Sequence, residues 1–261
     1  MNQMIPPDLV TTTLEDGVAT VTLGGGKAHP LSSAMIGALH AAITSANENP
    51  DARVIVIDGP GHIFCAGHDL KEIARHRTDA DDGLAYLQRL FDDCAAMMQA
   101  VTYSATPTIA MVDGIATAAG LQLVAACDLA FASHNATFCL PGVNNGGFCT
   151  TPAVAVSRAV GRKHLMELLL SGEVKDAAWG LRAGLVNEVT DPAELRARTQ
   201  GFARTLATRN PGPIAAGKLT TLRHLDMDLP AAYAVATETM IGHFMDPNRI
   251  DYEKSSRWSD A

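Results

Sequence analysis

Two β-rich runs open the chain, residues 10–13 and 18–23, with Glu15-Asp16-Gly17 between them. Such runs around an Asp-Gly turn predict a hairpin. The apolar period then changes. Met35, Ile36, Leu39 and Ile43 recur at helical spacing behind Ser32 or Ser33, predicting a helix to about residue 47. The unbroken run VIVID (54–58) predicts a buried strand. Asp81 or Asp82 is placed to cap a long helix to about residue 100, with Leu84, Leu87, Leu90, Phe91, Cys94 and Met98 as its core-facing stripe. Further on, residues 109–112 predict a strand, about 119 a helix start, and 129–132 and 137–140 two more strands. Thr151-Pro152 opens another helix, since proline suits the first helical position. Helices are expected at 162–170 and 175–183, a strand at 185–189, a helix from Asp191-Pro192 to about 209, and two more from Pro213 and Leu229. Early strand–helix units and a helical C-terminal third define an α/β chain. No repeat of 20–50 residues is visible.

Two stretches share one design. In the first, VIVID passes through the turn GPGH into FCAGHDLKEI (64–73), with Asp69 placed to cap the helix that follows. In the second, TIAMV meets a turn at Gly114, then small residues, then the helix from about Ala119. A strand entering a helix through a glycine turn leaves backbone N–H groups aimed into a cleft. Ala66, Gly67 and His68 are where those donors are expected free in the first stretch. Two such turns converging on one point make an oxyanion hole.

Composition narrows the partners. The chain has 261 residues, is 47% hydrophobic with 5% aromatic residues, and carries a formal net charge of −8. That length suits one large domain, or a domain with a small appendage, over an aliphatic core. The negative charge argues against nucleic acid. Five cysteines, Cys65, Cys94, Cys127, Cys139 and Cys149, form no CxxC pair, which fits reduced thiols and no metal site. No apolar run is long enough to span a bilayer, and the first residues lack a signal core, so a cytoplasmic protein is expected. The loop GGGKAHPLSS (24–33) has glycines and Lys27 but no Ser or Thr after the lysine, so the nucleotide P-loop pattern is unmet.

FCAGHDLKEI and DGIATAAGLQL…CDLAF together resemble the enoyl-CoA hydratase/isomerase (crotonase) superfamily over nearly the whole chain. The resemblance implies a crotonase-like (ClpP/crotonase) α/β fold, a ββα spiral over residues 1–195 with a helical C-terminal oligomerisation region at 196–261. It implies that the backbone N–H groups of His68 and Ala119 hold the thioester carbonyl of an acyl-CoA. It places Ala66, Asp69, Leu70, Ala116, Gly120 and Pro141 around the acyl-CoA, with Lys27 and Ala28 near its adenine end and Lys71 on its phosphates. A flexible turn is the alternative for Lys27 and Ala28, and a solvated helix face for Lys71 and Arg75, which share it at i, i+4. Lys254 sits near the lysine that closes over coenzyme A from a neighbouring subunit, with the expected aromatic displaced to Tyr252. Homotrimers or hexamers are implied, with coenzyme A part of the substrate and no other cofactor.

The acid/base half departs from the family. Two glutamates serve the hydratases, and this chain has Gln122 and Gly142 in their places. Glutamine orients a water but takes no proton from it, and glycine does neither. The block PGVNNGGFCTTPAVAVSRAVGRK most resembles the enoyl-CoA hydratase domain-containing protein 3 subgroup, which has the histidine and lacks both glutamates. Replacement groups near the loops are His68, Asp113, Asn144, Asn145 and Cys149. Three of them have plainer roles: His68 as a turn residue, Asp113 fixing the Gly114 turn, Cys149 as a buried thiol; Asn144 and Asn145 lie where the second glutamate's loop passes, and Glu167 is expected on a helix surface. Three readings remain: a lyase- or isomerase-type enzyme of fatty acid metabolism, decarboxylases included; a non-catalytic or regulatory acyl-CoA-binding protein; and a hydrolase, which lacks a GxSxG.

Overall fold

The computed structural model describes residues 9–255. β1 (Val10–Glu15) pairs antiparallel with β2 (Val18–Leu23). Asp16 and Gly17 both have positive φ (50° and 77°), the backbone a two-residue hairpin turn requires. α1 (Ser33–Glu48) starts where the Met35 N–H donates to the Ser32 hydroxyl, and it buries Met35, Ile36, Leu39 and Ile43 as their spacing predicts. β3 (Val54–Asp58) is buried on both faces. β4 (Ile63–Cys65) leads into α2 (Leu70–Arg75), which ends in a 3-10 turn at His76–Thr78. α3 (Leu84–Thr102), β5 (Thr108–Val112), β6 (Ile115–Thr117) and α4 (Ala119–Ala126) follow. Then come β7 (Leu129–Ser133), β8 (Thr137–Cys139), a 3-10 turn at Pro141–Asn145, α5 (Thr150–Ala159) and α6 (Arg162–Ser171). β9 (Lys175–Asp176), α7 (Ala177–Ala183), β10 (Glu188–Thr190) and α8 (Pro192–Ala207) complete the first compact unit, which ends at Thr208.

The strands form two sheets. The larger has the order β1-β2-β3-β5-β7-β10, parallel from β2 onward; the smaller has the order β4-β6-β8-β9. Each of β3, β5 and β7 hands the chain to a neighbour in the smaller sheet, β4, β6 and β8, which run parallel. This is the ββα spiral. Side chains alternate across the larger sheet. Val54, Val56, Ile109 and Met111 pack with Leu195 and Ala203 of α8, whereas Ile55, Ile57, Ala110 and Val112 join the main core with α1, α3 and α4.

Among the described residues, 209–255 form the second unit, with α9 (Pro211–His224), α10 (Leu229–Phe244) and α11 (Pro247–Ser255). The division thus falls after Thr208, leaving α8 with the first unit. No helix among the described residues is long and apolar enough to cross a membrane.

Several boundaries differ from the pattern. In α3 the buried residues are Tyr86, Leu90, Cys94, Met97, Met98 and Val101, while Leu84 and Phe91 are exposed. Gly83 precedes this helix, and Asp81 acts from two residues upstream, accepting from the Gly83 and Ala85 N–H groups. α5 starts at Thr150, so Pro152 is its third residue and not its first. Lys175 and Asp176 are a short strand, and Asp176 caps α7 through the Trp179 N–H. The predicted strand at 185–189 is displaced to Glu188–Thr190.

Candidate active site

β4 and β6 lie side by side with Cys65 opposite Ala116, and each runs through a turn into a helix. The turns touch at Gly67. Its φ is +81°, and a Cβ on it would lie 3.0 Å from the Ala118 Cβ and 3.1 Å from the Ala119 nitrogen. A side chain here would force the two loops apart. Ala118, which enters α4, has φ 52° and ψ −119°, backbone that favours glycine. Its N–H donates to the Cys139 carbonyl (3.0 Å) and its carbonyl accepts from the Gln122 N–H (3.1 Å), so the peptide groups on both sides of Ala118 are held.

Of the three donors expected free in the first turn, one is spoken for outright. The Ala66 N–H donates to the Ala28 carbonyl at 3.0 Å, and the Gly67 N–H is directed at the Cys65 sulfur. Residues 28–31 run beside 66–69 as a short ladder. Leu31 donates to the Gly67 carbonyl (2.8 Å), and Asp69 donates to the Leu31 carbonyl (3.2 Å). In a parallel bridge of that pattern the His68 peptide faces away from Leu31. Among the described residues, no backbone carbonyl accepts from the N–H of His68 or of Ala119.

The His68 ring lies edge-on to Phe91 of α3, centroids 5.1 Å apart, and its Nε2 is buried without a partner. Burial lowers its pKa from 6.5, so the ring is neutral at neutral pH. Gln122, one turn along α4 from Ala119, is 5% exposed and its Oε1 is also buried without a partner. Asp113, at the end of β5, leaves its Oδ1 in the same condition. Gly142 follows β8 and Pro141, and a Cβ there would lie 2.8 Å from the Cys149 nitrogen and 2.9 Å from the Phe148 carbonyl carbon. The backbone of 148–149 therefore occupies the space any larger residue at 142 needs. The Cys149 thiol is buried and its pKa is raised by that burial, which suits an inert thiol.

The remaining predicted residues spread outward. Asp69 caps α2, accepting from the Lys71 N–H (2.9 Å) and the Glu72 N–H (3.3 Å). Leu70, Lys71 and Arg75 are exposed on α2, and Lys27 on its loop. Ala116 and Gly120 are buried, and a Cβ on Gly120 would lie 2.1 Å from the Cys65 carbonyl, so α4 sits directly on β4. Asn144 donates to the Gly172 carbonyl (3.0 Å), and Asn145 is exposed. Glu167 accepts from Lys175 (2.7 Å) and the Trp179 indole (3.0 Å), a structural anchor. Lys254 and Tyr252 belong to α11 of the second unit. Two neighbours of the site were not singled out from sequence. Phe91 reads as core because it falls on an apolar stripe, and His29 gives no signal beyond a histidine between a glycine-rich loop and Pro30.

A parallel-strand spiral whose smaller sheet carries two strand-to-helix turns that touch at Gly67 is a crotonase-like fold. The chain belongs to the enoyl-CoA hydratase/isomerase family, whose model matches residues 13–255. It is 40% identical over 236 residues to "Enoyl-CoA hydratase domain-containing protein 3, mitochondrial" of Mus musculus, spanning 90% of this chain and 77% of that one. The crystal structure of an enoyl-CoA hydratase/isomerase family protein from Silicibacter pomeroyi superposes with a TM-score of 0.87 at 52% identity, covering 91% of this chain and all of that one (100%). The human enoyl coenzyme A hydratase domain-containing protein 3 gives 0.86 at 36% identity, covering 92% and 94% of the two chains.

Proposed function

We propose that this chain binds an acyl-CoA thioester and polarises its carbonyl between the backbone N–H groups of His68 and Ala119. The observation that carries the reading is the contact of the two turns at Gly67, with both donors unspent on the backbone. A pair of donors aimed at a developing oxyanion favours an enolate, and removing one typically costs about 10²–10³ in rate. The dipole of α4 adds to the same end.

Ordinary two-carboxylate hydration is disfavoured. Each missing general acid or base costs roughly 10²–10⁴, and Gln122 and Gly142 supply neither. Chemistry that makes an enolate without a base fits better. In decarboxylation of a malonyl-type thioester, carbon dioxide leaves, its bonding pair becomes the enolate, and the α carbon then takes a proton from water. Neutral His68 is the one titratable side chain at the donor itself. The second reading, binding without turnover, is favoured by the wall of backbone behind Gly142.

Lys27 and Ala28 are assigned to the adenine end of coenzyme A and Lys71 to its phosphates, with Ala66, Asp69, Leu70, Ala116, Gly120, Gln122 and Pro141 shaping the rest. Lys254 closes the site from a neighbouring subunit of a homotrimer or hexamer. A cytoplasmic location is retained, since "mitochondrial" belongs to the relatives' names. The deciding experiment pairs calorimetric binding of a non-reactive acyl-CoA analogue with turnover on crotonyl-CoA and malonyl-type thioesters. Micromolar binding with malonyl-type turnover supports the first reading, and binding alone the second. No binding removes both.

A further inference from the structure

We propose that His29 is a positioning residue whose ring, protonated on both nitrogens, fastens the segment against which the His68 turn is aligned. Its imidazole is 4% exposed, with Nδ1 2.8 Å from the Gly24 carbonyl oxygen and Nε2 2.9 Å from that of Pro60. Carbonyl oxygens only accept, and a neutral imidazole carries one N–H. A singly protonated ring would set a bare nitrogen lone pair against one of these oxygens. Both contacts are bonds only in the imidazolium.

Gly24 follows β2, and Pro60 lies in the turn between β3 and β4, so the ring ties two strand exits together. The backbone at 28–31 carries the ladder to the candidate oxyanion turn. Ala28 accepts from the Ala66 N–H (3.0 Å), His29 from the Cys65 thiol (3.3 Å), and Leu31 from the Asp69 N–H (3.2 Å). His29 itself has φ 43°, a conformation a side chain holds only when its surroundings enforce it. The two ring bonds supply that enforcement. The charge has a counterpart: Asp58 of β3 is buried and interacts electrostatically with His29. Asp58 is shared with Arg196 of α8, and Asp113 at the end of β5 lies close enough to oppose its ionisation. Cys65, with its pKa pushed up to about 12, brings no charge, and Lys27 two residues away is exposed.

The consequence for acyl-CoA binding rests on the function proposed above; the consequence for the loop does not. ¹⁵N-labelled histidine, with the His29 signals assigned against His29→Asn, reads the ring directly. Both ring nitrogens are expected to be protonated at a pH where His68 is neutral. Raising the pH until His29 loses a proton should speed amide exchange at Leu31, Ala66 and Asp69 about tenfold beyond the ordinary base-catalysed slope. His29→Asn should show that fast exchange throughout, without the extra pH step, and an acyl-CoA analogue should bind the parent more weakly over the same pH range. A ring with one proton at neutral pH, or amide protection indifferent to pH and to the substitution, overturns the proposal. If His29→Asn does not fold, the parent's ring spectrum and pH-dependent exchange decide. If no analogue binds the parent, the function reading falls while these measurements still stand.

Discussion

At the scale of single residues, positions 122 and 142 differ in what they tolerate. Gln122 is buried but of the same shape as glutamate, so Gln122→Glu should fold, at a cost of about 1–3 kcal/mol near neutral pH from burying an unpartnered carboxylate. Gly142→Glu meets the backbone of 148–149 at 2.8–2.9 Å and should lose at least about 2 kcal/mol without gaining hydration. Urea unfolding and the enone absorbance of crotonyl-CoA read both. A Gly142→Glu variant as stable as its parent would show that the loop yields. His68 gives a prediction with a sign. Its folded pKa lies below the ordinary 6.5 because of burial. The unfolded chain therefore takes up a proton first as pH falls, and His68's contribution is present above that value and lost below it, down to the folded pKa. His68→Gln should flatten the stability profile on this acid side. It also keeps the backbone N–H, so any turnover lost with it belongs to the ring.

At the scale of elements, the entry to α4 holds strain. Ala118 sits at φ 52°, ψ −119°, which costs a non-glycine residue about 1–3 kcal/mol, against roughly 0.5–1 kcal/mol of added chain entropy for glycine. Ala118→Gly should stabilise the protein by up to about 2.5 kcal/mol in thermal unfolding, and a lower melting temperature would refute the strain. On α2, Lys71 is exposed, and the proposed function gives it the coenzyme A phosphates. Lys71→Ala should weaken a coenzyme A ligand about threefold to fivefold, as for a solvent-screened ion pair, with melting unchanged; equal affinity would count against the phosphate contact. The same elements mark what sequence could reveal. α1, β3, β5 and the Asp69 cap were legible because their signals are local: apolar period, β-branched run, side chain to N–H. β4 and β6 were not, being three residues each and fixed by partners about fifty positions apart, as Cys65 and Ala116 are. The rotated face of α3 has the same cause. Leu84 and Phe91 fit the stripe, but what packs against α3 decides that Tyr86 and Met97 are buried instead. The two turns were expected from sequence through turn chemistry, and the choice of His68 and Ala119 as donors came from the family resemblance, whereas the loss of the Ala66 donor to Ala28 depends on a loop nearly forty residues upstream.

At the scale of the whole molecule, the second unit carries apolar side chains with little to cover them. No residue of α9, α10 or α11 is buried, and Leu229, Tyr233, Met240 and Phe244 of α10 are exposed by 70%, 65%, 56% and 48%. Their spacing puts them along one side of the helix, and a contiguous apolar strip of that kind marks an association surface. The proposed homotrimer or hexamer gives it a partner in a second copy of the chain. Tyr233→Lys with Met240→Lys should convert the assembly to monomers by light scattering while circular dichroism stays unchanged, since neither side chain is in a core. A parent already monomeric at micromolar concentration would end the assembly proposal. The dissociated variant then tests the role given to Lys254. If that lysine closes over coenzyme A across subunits, the monomer should bind an acyl-CoA analogue several-fold more weakly, and Lys254→Ala should weaken the parent by a similar factor yet leave the monomer unaffected. Additive losses in the combined variant would instead place Lys254's effect within its own chain.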